Sequence, residues 1–136
     1  YNIGGVYDSK GEYDNALAYY NKAREIFEKV LDPLHPSLAT TYYNLGAVYY
    51  SKSQYDTALE YFNKAKKIDE QVLDPQHPYF ATTYYNIGLV YDHKGQYDEA
   101  LKYYEMALAI YEKYNAPKAQ TVKTMIEQTK AQMEKQ

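Results

Sequence analysis

The chain repeats itself every 42 residues, so it must solve the same packing problem several times over. YNIGGVYDSKGEYDNALAYY begins at residue 1, YNLGAVYYSKSQYDTALEYF at 43 and YNIGLVYDHKGQYDEALKYY at 85. Tyr1, Asn2, Gly4, Val6, Tyr7, Lys10, Tyr13, Asp14, Ala16, Leu17, Tyr19, Ala23, Ile26 and Glu28 each return at both later registers.

Each unit carries two helical patterns. The run PSLATTYYNLGAVYYSK from Pro36 sets Leu38, Tyr42, Leu45, Val48 and Tyr49 at three-and-four spacing, which predicts an amphipathic helix A. The run from Tyr55 repeats that spacing through Ala58, Leu59, Phe62, Ala65, Ile68 and Val72 and predicts a helix B. Between them, Gly11 and Gly95 suit a left-handed helix-ending position, which Ser53 fills in the middle unit at some cost. Asp14, Asp56 and Asp98 fall in the first turn of helix B, where a carboxylate meets free N–H groups. Gly4, Gly46 and Gly88 lie inside helix A, where each costs about 1 kcal/mol relative to Ala, so their shared register implies a packing reason. Together with Ala16, Ala58, Ala100, Ala23, Ala65 and Ala107 they let helices approach while Tyr rings fill the remaining volume.

Between units stands LDPLHP at 31–36, returning as LDPQHP at 73–78. It contains a P-x-x-P pattern, but both prolines serve an inter-helix corner: Pro33 and Pro75 stop a helix, and Pro36 and Pro78 start one. A proline-rich ligand needs a free extended segment instead. His35 and His77 fit the cap position of that corner better than a metal. In the third copy, NAPKAQ at 115–120, Asn115 stops a helix and Pro117 restarts the chain. Residues 118–136 then leave the repeat, with Val122, Met125, Ile126, Thr129 and Met133 on one stripe, the pattern of a polar-backed capping helix. Tyr1 matches Tyr43, so unit one lacks a counterpart of PSLATTY, and the expectation is a segment cut from a longer array.

Composition excludes several classes. A formal charge of −3 and a pI near 5.6 offer no basic excess for phosphates, which argues against nucleic acid and an anionic membrane surface. No apolar run approaches the roughly 18 residues of a membrane span. With no Cys, disulfides and thiolate metal sites are excluded and a reducing compartment is permitted, so a cytoplasmic location is expected. Tyr supplies 20 of 136 residues against 3 Phe and no Trp, which suits a thin structure whose core is never far from water.

The set Gly46, Tyr49, Tyr55, Ala58, Phe62 and Ala65 resembles the tetratricopeptide repeat (TPR) signature, over residues 1 to about 115. The long unit with its L-x-x-x-H-P joint is similar to the kinesin light chain type of TPR, although such families usually carry Gly where this chain has Asp32 and Asp74. The resemblance implies an all-α fold, a right-handed α-solenoid of antiparallel helix pairs. It divides the single domain 1–136 into repeat 1 (1–42, helix A truncated at its start), repeat 2 (43–84), repeat 3 (85–117) and a capping helix (118–136). It further implies a non-catalytic protein-protein interaction scaffold that holds a partner peptide or helix in a concave groove lined by the A helices. The alternative is a structural or self-associating segment of a larger repeat protein, docking through its N-terminal end. Carried over by register, the groove holds Tyr1, Asn2, Gly5 and Asp8; then Thr40, Tyr43, Asn44, Ala47 and Tyr50; then Thr82, Tyr85, Asn86, Leu89, Asp92 and His93. The Asn row either pairs with a bound peptide backbone or bonds to a neighbouring helix. TPR domains that clamp a C-terminal carboxylate carry Lys, Arg and Asn here, whereas this face offers Tyr and small residues.

No catalytic constellation is legible. His35, His77 and His93 lack metal-ligand spacing, and Asp92-His93 has no Ser, Cys or oxyanion turn beside it. Gly4-Gly5 sits within a helix pattern and not between strand and helix, so it is no phosphate loop. The expectation is therefore a protein that is not an enzyme, with no cofactor and no metal.

Overall fold

A computed structural model describes residues 12–74 and 77–135. Among these residues there are six helices and no strand: α1 Tyr13–Val30, α2 Pro36–Ser51, α3 Tyr55–Val72, α4 Pro78–His93, α5 Tyr97–Lys113 and α6 Lys118–Glu134. None of them is long and apolar enough to cross a membrane. The chain forms two compact units, Tyr1–Leu73 and Asp74–Gln136. In the first, α2 packs on both α1 and α3; in the second, α5 packs on both α4 and α6. The division falls within the LDPQHP joint, because the 42-residue register starts midway along helix A whereas packing starts at its proline.

Three turns share one hydrogen-bond scheme. Gln54 N–H donates to Tyr49 O (2.8 Å) and Ser53 N–H to Tyr50 O (2.9 Å); Gln96 and Gly95 do the same toward Tyr91 (2.9 Å) and Asp92 (3.0 Å). Ala116 and Asn115 close α5 likewise, on Tyr111 (2.9 Å) and Glu112 (3.1 Å). The scheme requires a left-handed residue after the helix, and Ser53 (φ 63°), Gly95 (φ 79°) and Asn115 (φ 53°) occupy it. The helix-ending roles of Ser53, Gly95 and Asn115 thus match the sequence; Gly11 lies outside the described residues.

The His-Pro corners start α2 and α4. His35 Nδ1 accepts the N–H of Ser37 at 3.0 Å and His77 Nδ1 that of Tyr79 at 3.2 Å, each ring standing directly ahead of a proline at the first helical position. Asp32, where the related families favour Gly, needs no left-handed backbone. Its carboxylate accepts Leu34 N–H at 2.8 Å and its carbonyl accepts His35 N–H at 2.9 Å, so a side-chain turn does the work of a flexible backbone.

Rings fill the space that small residues open. The Phe62 ring lies against the α2 backbone at Gly46 and the Tyr104 ring against α4 at Gly88; both rings are buried. Around them, Tyr42 and Tyr49 clasp Tyr61 at centroid distances of 6.1 and 5.6 Å, and 42 residues on Tyr84 and Tyr91 clasp Tyr103 at 6.0 and 5.8 Å. Such pairs contribute about 0.5–1.5 kcal/mol each beyond their buried area. Val72, at the end of the predicted stripe, is exposed.

A Cβ at residue 88 would stand 2.6 Å from Tyr104 Cδ1 and 3.3 Å from the Ala100 carbonyl oxygen. Gly88→Ala gains about 1 kcal/mol of helix propensity but must displace a fully buried ring. We expect a net loss of about 1–3 kcal/mol by urea denaturation; a stabilised variant would show that the ring yields freely.

Candidate functional site

The helix A faces carry the residues set out by register, and the two units present them differently. On α2, Thr40 is exposed and Tyr43, Asn44, Ala47 and Tyr50 are half-buried. The Tyr43 ring rests on Phe62 at 5.6 Å and the Tyr50 ring on Tyr55 at 5.9 Å, so both are braced from the helix B side. Asn44 follows Tyr43 on the same helix, and its amide has no hydrogen-bond partner among the described residues. This helix offers an amide that both donates and accepts, together with two braced aromatic rings and the small Ala47, which suits it to a polypeptide backbone.

On α4 the matching face is engaged from within its own unit. Tyr85, register partner of Tyr43, is only 9 % exposed and joins a core cluster with Tyr104, Val122 and Ile126. Its ring also carries the Lys118 ammonium at 4.8 Å. Leu89 packs against the same cluster, and Asn86 is half-buried with bonding of its own. The Asp92 carboxylate accepts the hydroxyls of Tyr104 and Thr129, each at 2.9 Å. Thr82 and Tyr111 share a hydroxyl–hydroxyl bond of 3.2 Å, and His93 Nδ1–H donates to the Leu89 carbonyl at 2.9 Å. The capping helix α6 thus meets this face through Lys118, Val122, Ile126 and Thr129. Tyr1, Asn2, Gly5 and Asp8 lie outside the described residues.

The α6 contacts were not legible by register, since α6 has no copy elsewhere in the chain. The available signal was Thr129, a hydroxyl set into an apolar stripe, which calls for a buried acceptor. Among the described residues no three His, Asp or Glu side chains gather as a metal site.

Burial dominates the electrostatics. The Tyr42 hydroxyl is pushed up to about 12, first by desolvation and then by its 2.7 Å bond to the Glu28 carboxylate and that group's charge. Desolvation likewise raises Tyr61, Tyr85 and Tyr91.

Comparison with known proteins bears on the fold. The sequence model of the Tetratricopeptide repeat family matches residues 1–71 and again 39–113. No curated protein matches the chain in sequence. Among solved structures, the nearly identical TPR-like repeats of a Podosopora anserina protein assigned as a kinesin light chain superpose with a TM-score of 0.85 at 21% identity, covering 94% of this chain and 62% of that one. BtubC (BKLC) from P. vanneervenii gives 0.75 at 20% identity, covering 88% and 48%. The TPR2AB domain of yeast Sti1, solved in complex with pHSP90, gives 0.72 at 22% identity, covering 97% and 45%. This chain therefore spans less than two thirds of the length of each of these structures.

Asp92→Ala removes the carboxylate that receives a fully buried Tyr104 hydroxyl and should cost about 1–3 kcal/mol by urea denaturation, with much of that recovered when Tyr104→Phe is added. Alkaline stability gives a second expectation. The folded-state value of Tyr42 lies above the unfolded value of about 10, so its contribution is complete below pH about 10 and is lost as pH rises through about 12. Denaturation midpoints recorded from pH 8 to pH 12 should be level at first and then fall, and Tyr42→Phe should flatten the fall.

Proposed function

Because the chain belongs to the tetratricopeptide repeat family, we propose that it is a protein-binding module that takes a partner peptide on the face of α2. The observation that carries this reading is Asn44: a half-buried amide without a hydrogen-bond partner among the described residues, on the helix that also carries the braced Tyr43 and Tyr50 rings. A half-buried amide without an internal partner is open to a ligand, and a peptide backbone supplies both a donor and an acceptor for it. The Sti1 neighbour, whose TPR2AB domain is in complex with pHSP90, supports the use of this fold for holding a polypeptide. The ligand chemistry here differs from carboxylate capture, since Tyr43, Ala47 and Tyr50 set no cation on the face. An extended segment with small or apolar side chains, held mainly through its main chain, fits this surface.

The alternative contact face, on α4, is already met by α6, which leaves α2 as the better-supported seat. Peptides selected from a displayed library against the intact chain test the reading. Asn44→Ala should weaken the selected peptides about tenfold or more, roughly 1.4 kcal/mol, and Ala47→Glu should weaken them further, with both melting temperatures unchanged. Equal affinity for the parent and Asn44→Ala would remove α2 as the binding face.

A further inference from the structure

The sixteen residues of α2 include no Asp, Glu, Lys or Arg. The helix also differs from α4 at three places of the register: Tyr43, Ala47 and Tyr50 stand where α4 has Tyr85, Leu89 and Asp92. Tyr43 and Tyr50 are seven residues apart, which falls about 20° short of two full turns and advances about 10.5 Å, so they share one face of α2. Ala47, four residues after the first and three before the second, lies on that face between them and leaves a notch. Both rings are half-buried and braced at nearly the same tilt, Tyr43 on Phe62 at 54° and Tyr50 on Tyr55 at 53°. Asn44 lies to one side of this stripe, about 100° round the helix from Tyr43.

The ring spacing separates the conformations a bound segment could take. A β-strand repeats its face at about 6.6 Å and again at about 13.2 Å, so no pair of its side chains lands on both rings. An α-helix repeats at the same 10.5 Å or so, but its main chain is bonded internally and has nothing for the Asn44 amide. A polyproline II segment turns once in three residues and rises about 9.3 Å, within roughly 1.2 Å of the ring spacing, and its main chain is unbonded. We infer that the Tyr43–Ala47–Tyr50 face takes an uncharged polyproline II segment with proline at every third position, one pyrrolidine ring on each Tyr. The inference rests on α2 being the binding face and adds the conformation and chemistry of its occupant. A charged segment fits poorly, since its ions would lose water against α2 without gaining a counter-charge. A preformed polyproline II helix also loses little freedom on docking to an aromatic-lined surface. A second copy of the chain is a poor occupant, because both of its own P-x-x-P patterns end on a proline that opens a helix, Pro36 of α2 and Pro78 of α4.

Two labelled peptides of one composition, SPAAPAAPAS with prolines three apart and SPAPAAAPAS with prolines two and four apart, are titrated against the intact chain by fluorescence anisotropy. The first should bind about tenfold tighter. Tyr50→Asp and Ala47→Leu, each the residue that α4 carries at that register, should bring the two peptides to equal affinity. Melting temperatures recorded alongside separate a lost contact from a lost fold, and Ala47→Leu fills the notch without removing a ring. Equal affinity of the parent chain for the two peptides would overturn the inference. So would a preference that survives in folded Ala47→Leu, since the peptide would then sit elsewhere. Library peptides that depend on Asn44 yet carry no prolines three apart would keep α2 as the binding face and remove polyproline II as its occupant.

Discussion

A ring laid on a glycine sets the spacing of each helix pair. Phe62 against Gly46 and Tyr104 against Gly88 bring helix B close enough that the neighbouring Tyr residues reach across at stacking distance. Without that approach the Tyr61 and Tyr103 clasps would open, because aromatic attraction falls off steeply beyond van der Waals contact. The same closeness decides the turns. Three residues suffice to reverse the chain after α2 and after α4, and a left-handed residue is then unavoidable, so Ser53 accepts a conformation that Gly95 takes without strain.

Tyrosine, and not phenylalanine, suits this arrangement because each ring ends near polar territory. Tyr42 ends on the Glu28 carboxylate, Tyr104 on Asp92 and Tyr111 on Thr82, so rings that fill the core also join helices by hydrogen bonds. In the first unit this ties α2 to α1. In the second, Asp92 collects hydroxyls from α5 and α6 and holds three helices at one carboxylate.

How much of this was legible depended on repetition. The starts at Pro36 and Pro78, the glycine registers, the left-handed turns and the caps at His35 and His77 could be read because each recurs, and a recurring oddity has a structural cause. Asp32 departs from the Gly usual in related families, and only the structure shows that its carboxylate builds the turn by itself. For the candidate site, register treated Tyr43 and Tyr85 as equivalents. Their surroundings differ because α6 follows one and has no sequence copy from which its position could be inferred.

Tyr104 faces Asp92, and at the same two registers Phe62 accompanies Tyr50. Where the inner ring bears a hydroxyl, the end of helix A supplies a carboxylate; where the hydroxyl is missing, so is the acid. The first unit pairs Tyr20 with Asp8 in sequence, on the side of the acid. The units are therefore not interchangeable bricks, however alike they read. Anyone who lengthens or shuffles such an array must move both positions as a matched set, since a hybrid carrying Tyr104 opposite Tyr50 would turn a hydroxyl toward a ring, and one carrying Phe62 opposite Asp92 would take from the carboxylate one of the two hydroxyls it accepts.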